Sequence, residues 1–205
     1  MLFGTTSLDV LLAAVIALLV GLTFHEFSHA LVADELGDHR PRAMGRLTLN
    51  PLPHIDPIGA VMLLIAGFGW AKPVMVNPYA LRNGVRSMWL VAAAGPVANL
   101  VVAIGFAAVY RVLDLAGLEG GFLVDLVRNV VLLNVLLALF NLIPIPPLDG
   151  YNAVLSFLPP RTAMTVQRYA PYGILVLLLL IILPNSPLNL LFGAVVGITR
   201  VLTGA

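Results

Sequence analysis

The sequence has no cysteine. That excludes disulfides, thiolate metal sites and a cysteine nucleophile, and it leaves the redox compartment open. Charge is also scarce: 10% of the 205 residues are Asp, Glu, Lys or Arg, against about 25% in soluble domains. Net charge is only +1, so the chain offers no basic field for a nucleic-acid partner. No basic stretch precedes the first apolar run, and no small-residue cleavage site precedes it either. Residues 8 onward therefore read as a retained span, not a signal peptide. No internal repeat or low-complexity tract is visible.

What the chain does have is apolar residues, 60% of the total, with a mean hydropathy of +1.00. This composition predicts an all-α polytopic membrane protein, with residues 1–205 forming a single membrane-embedded domain in the lipid bilayer. Apolar runs place spans at about 8–33, 86–110, 122–143, 169–183 and 188–202, the last being short enough to lie in the interface instead. The run at 58–70 is too short to cross and contains Gly59, Gly67 and Gly69. Residues 45–50 and 72–77, on either side of it, read as short extended strands. Pro73 and Pro78 confine the second to a sheet edge. Such an edge would be able to receive an unwound peptide by strand addition.

Basic residues orient the spans. Arg40, Arg42, Arg46, Lys72, Arg82, Arg86, Arg161, Arg168 and Arg200 are expected on the cytoplasmic side, with Arg111 and Arg128 on the other. Both flanks of 58–70 are basic, so that segment is expected to dip in and return. The N-terminus is then outside and the C-terminus inside.

One stretch carries chemistry. His25-Glu26-Phe27-Ser28-His29 lies within the first apolar run. Residues four apart share a helix face, so His25 and His29 can grip one metal ion. Glu26, one step round, can serve a water at that metal as a base without being a ligand. This is the arrangement that metal-assisted hydrolysis requires. Ionisable groups inside an apolar helix are costly and mark function. A catalytic zinc site usually has three protein ligands and an open position. Asp149 follows a span ending on the same side as His29 and is the candidate third ligand. Alone, Asp149-Gly150 reads rather as a turn; with His25 and His29 present, the three-ligand rule favours a ligand. His54 is either a loop histidine or a residue that holds a ligand or the substrate. Asn99 and Asn141 lie in apolar runs, either joining helices through their amides or donating to a substrate carbonyl and its oxyanion.

Four motifs occur in order: His25-Glu26-Phe27-Ser28-His29; Asn50-Pro51-Leu52-Pro53-His54-Ile55-Asp56-Pro57 with Gly59; Gly95-Pro96-Val97-Ala98-Asn99; and Asn141-Leu142-Ile143-Pro144 through Leu148-Asp149-Gly150. Together they resemble the site-2 protease family of intramembrane zinc metalloproteases (peptidase family M50), most nearly its small prokaryotic members. The resemblance covers roughly residues 8–155. It implies a three-helix catalytic core and one zinc ion per chain, held by His25, His29 and Asp149. It also implies Glu26 as base, a membrane-spanning protein or peptide as substrate, and a prokaryotic cell membrane; the placement of Lys and Arg puts the site near its cytoplasmic face. The two C-terminal apolar helices are additional to that core. The length leaves no room for a PDZ-like or CBS-like regulatory domain, and no extra span precedes the first histidine helix. The alternative functions for the same residues are a metal-binding membrane transporter and a proteolytically inactive membrane scaffold.

Overall fold

A computed structural model describes residues 8–66 and 69–204. Three helices, α1 (Leu8–Glu35), α4 (Met88–Leu115) and α5 (Phe122–Asn141), are long and apolar enough to cross a membrane, and they pack together as a bundle. Between the first two lie the short α2 (Arg40–Ala43) and α3 (Pro57–Ala66). After α5 come α6 (Asp149–Leu155), α7 (Pro160–Gln167), α8 (Gly173–Ile182) and α9 (Leu188–Thr203).

The bundle is built on rows of residues four apart, which form one ridge of a helix. On α1 the row is Ala13, Ala17, Gly21, His25, His29 and Ala33, all buried. On α4 it is Val91, Gly95, Asn99, Ala103 and Ala107, again all buried. Val130, Asn134 and Ala138 continue the pattern on α5. Small side chains let helix backbones approach closely, which is how helices associate where water supplies no hydrophobic drive. Ala17, Val102 and Val130 join the three helices in one apolar cluster. Leu8, Leu12 and Ile16 on α1 and Val97, Val101 and Ile104 on α4 stay exposed, as lipid-facing positions do.

The last two expected spans each contain a short helix. At 169–183 the structure has a 3₁₀ turn followed by α8, which is 10 residues long, or about 15 Å. That is half of a hydrocarbon core of about 30 Å, and α8 is bent 43° from α7. At 188–202, α9 has 16 residues, about 24 Å. Val195 of α9 is buried with Ala103, Ala107, Val131 and Val135, so α9 lies against the bundle. The C-terminal end is corrected. The Arg111 guanidinium donates to the carbonyls of Leu202 (2.7 Å) and Val201 (2.8 Å). The end of α9 therefore lies at the same end of the bundle as the end of α4, away from Arg40, Arg42 and Arg46. Arg200 goes with it.

Between α1 and α4 the chain folds back on itself around α3; residues 67 and 68 of the expected 58–70 segment lie outside the described residues. Its two ends meet: Gly59 packs so closely on the Trp70 backbone that a Cβ there would collide with it, and Ile55 forms an antiparallel bridge with Ala71. The flanking strands are not present. Among the described residues no strand forms, and 45–50 and 72–77 do not pair. The physical reason is Arg46. Its side chain is buried and donates to the carbonyls of Pro53 (2.8 Å), Lys72 (3.0 Å) and Pro73 (3.3 Å). A guanidinium takes the acceptors that a neighbouring strand would have used.

Candidate metal centre

His25 and His29 sit on successive turns of α1, facing α4. Each imidazole is held by its Nδ1. That of His29 lies 2.7 Å from the carbonyl oxygen of Val91, which can only accept, so Nδ1 carries the proton. That of His25 lies 2.7 Å from Oδ1 of Asn99. The orientation of the Asn99 amide follows from its other partners. Its Nδ2 donates to the Gly21 carbonyl at 3.0 Å and to Asn134 Oδ1 at 2.8 Å. Oδ1 therefore faces His25, whose Nδ1 donates. Both histidines are left with a bare Nε2 lone pair.

Those two Nε2 atoms are 3.0 Å apart. Oδ2 of Asp149 lies 3.0 Å from one and 3.2 Å from the other. It is buried and has no hydrogen-bond donor. Three lone pairs converge on one point, an arrangement that repels itself unless a cation sits among them. A tetrahedral ion with bonds of about 2.0–2.2 Å needs ligand atoms roughly 3.3 Å apart. The three residues fit a zinc ion in donor type, number and spacing, and the hydrogen bonds to their far nitrogens are those that orient metal-ligating histidines.

The neighbouring elements make room for this cluster. A Cβ on Gly95 would collide with both imidazole rings, so only glycine allows α4 to pass so close. Pro96 follows within the helix, removing the amide that would pair with the Ala92 carbonyl. Asp149 is the first residue of α6, with Leu148 before it in extended conformation. Asp149-Gly150 is therefore a helix start, not a free turn, and a Cβ on Gly150 would collide with the Leu142 and Ile143 carbonyls.

Glu26 is buried but lies outside this cluster. Its Oε2 accepts the Val74 backbone N–H at 3.2 Å, which ties it to the extended segment at 71–77.

The remaining sequence candidates are placed as follows. Asn99 lies beside His25, with both its N–H groups and its oxygen engaged within the bundle. Asn141 donates to the Leu137 carbonyl of its own helix at 2.9 Å. His54, 2% exposed, holds the loop before α3, with Nε2 bonded to the Thr48 carbonyl at 2.9 Å and its own carbonyl accepting from the Lys72 N–H at 2.8 Å. Sequence reasoning missed Asn134. It is fully buried and holds Asn99, while its own amide is anchored to the Val130 carbonyl. Its signal was an amide in an apolar helix, the same signal that singled out Asn99 and Asn141.

The chain belongs to the site-2 protease family of intramembrane zinc metalloproteases. It is 41% identical over 177 residues to the Bacillus subtilis (strain 168) protein named "Putative zinc metalloprotease YwhC", covering 83% of this chain and 80% of that one. It is also 34% identical over 180 residues to "Putative zinc metalloprotease Rip2" of Mycolicibacterium smegmatis, and 35% identical over 176 residues to the protein of that name in Mycobacterium tuberculosis H37Rv. These matches take in 81% and 82% of this chain, which spans 65% of each Rip2 protein. No family model and no solved structure matches the chain.

Proposed function

We propose that this chain is a zinc-dependent endopeptidase that hydrolyses a peptide bond in or beside the transmembrane segment of a membrane protein. The observation that carries the reading is the convergence of His25 Nε2, His29 Nε2 and Asp149 Oδ2, within 3.2 Å of one another, inside a membrane-length helix bundle. Bound there, zinc supplies Lewis acidity, acidifying a water and polarising a carbonyl. The protein's own residues do the rest. Glu26, adjacent in sequence but on another face, accepts the proton of the attacking water and passes it to the leaving amine. Asn99 and the Val91 carbonyl keep both ligating nitrogens bare. Asn141 has one N–H beyond its bond to Leu137 and is our candidate donor to the developing oxyanion. His54 shapes the loop against which substrate lies.

The basic residues Arg40, Arg42, Lys72, Arg82 and Arg86 gather beyond the end of α1 that carries the site. This supports a cytoplasmic position for that end, by the preference of Lys and Arg for the inner face. A transporter would need the ligands but not Glu26, and an inactive scaffold would need neither. Glu26→Gln separates these readings. The purified variant is expected to retain one zinc per chain and to lose cleavage of a membrane-inserted peptide. A variant that still cleaves removes the role given to Glu26, and one that no longer holds zinc reassigns it as a ligand.

A further inference from the structure

Glu26 is held by a segment that has no secondary structure of its own. Residues 72–77 form neither helix nor strand, yet Val74 must present its N–H to Oε2 of Glu26. Beyond the backbone contacts of Ala71 with Ile55 and of Lys72 with His54, two side chains fix that segment. At one end, Asp38, 1% exposed, accepts the Asn77 N–H at 2.6 Å while also binding the Arg40 guanidinium. At the other end, Arg46, 3% exposed, clamps the carbonyls of Lys72 and Pro73, the two residues before Val74, to that of Pro53. A buried guanidinium is costly unless its fork of donors is filled, and here three backbone carbonyls fill it. Neither Pro73 nor Pro78 can add an N–H to hold the segment.

We propose that Arg46 is a positioning residue for the reaction: by fastening Pro53, Lys72 and Pro73 it sets the Val74 N–H against the Glu26 carboxylate and fixes where that carboxylate points. The inference rests on the reading of Glu26 as base. Arg46 touches neither the metal ligands nor the reacting atoms. Its loss therefore leaves zinc binding intact and misplaces the base. Misplacement of a reacting group by about 1 Å costs roughly 100-fold in rate, so the effect falls on kcat, with KM little changed.

The test uses the full chain, zinc-loaded, in lipid nanodiscs. Arg46→Met, Arg46→Lys and Val74→Pro are compared with the native protein for zinc content, for hydrogen exchange at the Val74 amide where that amide remains, and for kcat and KM on an internally quenched transmembrane peptide. Arg46→Met is expected to keep one zinc, to exchange the Val74 amide at least about tenfold faster, since a released amide loses its protection, and to lose roughly 10- to 100-fold in kcat at unchanged KM. Arg46→Lys is expected to fall between. Val74→Pro removes the N–H while leaving Arg46 in place and is expected to match the kcat loss. Native protection at Val74 with native kcat in Arg46→Met overturns the proposal. If Arg46→Met does not fold, Val74→Pro decides: a native kcat there overturns it, a matching loss supports it. Glu26→Gln, run alongside, isolates the parent reading. Cleavage by that variant sinks the base assignment, while Val74 exchange still reports on the Arg46 clamp.

Discussion

Nδ1 of His25 donates to Oδ1 of Asn99 across 2.7 Å, from α1 to α4, and Asn99 has no capacity left for anything else. The amide acts as a fixed acceptor because Gly21 and Asn134 hold its other side. Replacing Asn99 by Leu frees the ring to present the wrong nitrogen. Asn99→Leu is expected to weaken zinc binding about 10- to 100-fold, the usual effect of losing such a partner. Competition with a chromophoric chelator measures it; unchanged affinity would remove Asn99 from the metal's support.

Gly95 tests the spacing of α1 and α4. Gly95→Ala puts a methyl group against both imidazole rings, so zinc affinity is expected to fall by at least tenfold with helix content retained by circular dichroism. Gly105, on the same helix, faces open space: a Cβ there would meet nothing within 4 Å. Gly105→Ala is expected to leave zinc binding unchanged and to add stability on the order of 0.5–1 kcal/mol through helix propensity. Equal effects at the two positions would show that propensity, not the close approach, is at work.

The absence of cysteine makes the topology directly testable. Single cysteines at Gly204, Glu119 and Met44, all exposed, are the only thiols in their variants. The contact of Arg111 with the end of α9 predicts that Gly204 and Glu119 react with a membrane-impermeant maleimide from one side and Met44 from the other. Labelling of Gly204 together with Met44 would restore a C-terminus on the side of the basic cluster.

The ligands were legible in the sequence because their geometry is local: a spacing of four on a helix fixes His25 and His29 on one face whatever surrounds them. Gly95 and Asn99 were visible as a motif, but the job of Asn99 was not, since it depends on Asn134, 35 residues further along the chain. The bundle rows were equally present as small residues four apart on α1 and α4. The expected strands failed for the opposite reason. Alternating residues at 45–50 carry a local signal, and the side chain of one of them, Arg46, outcompetes it for the carbonyls of Lys72 and Pro73. The C-terminal segments are less legible because apolar composition does not say how a run divides into helices: α8 and α9 are separate short helices on either side of residues 184–187, and α9 packs on the bundle through Val195.

The rows on α1 separate two duties that are neighbours in sequence. His25 and His29 belong to the ridge that grips α4 and α5, so the ion's seat is as rigid as the bundle. Glu26, one residue on, looks out from that ridge toward a stretch of chain with no helix of its own, fastened around Val74 by the side chains of Arg46 and Asp38. The two halves of the proposed chemistry thus rest on foundations of different stiffness. A change in the connection between the first two membrane helices would therefore reshape the approach to the base, while the grip on the ion stays as it is.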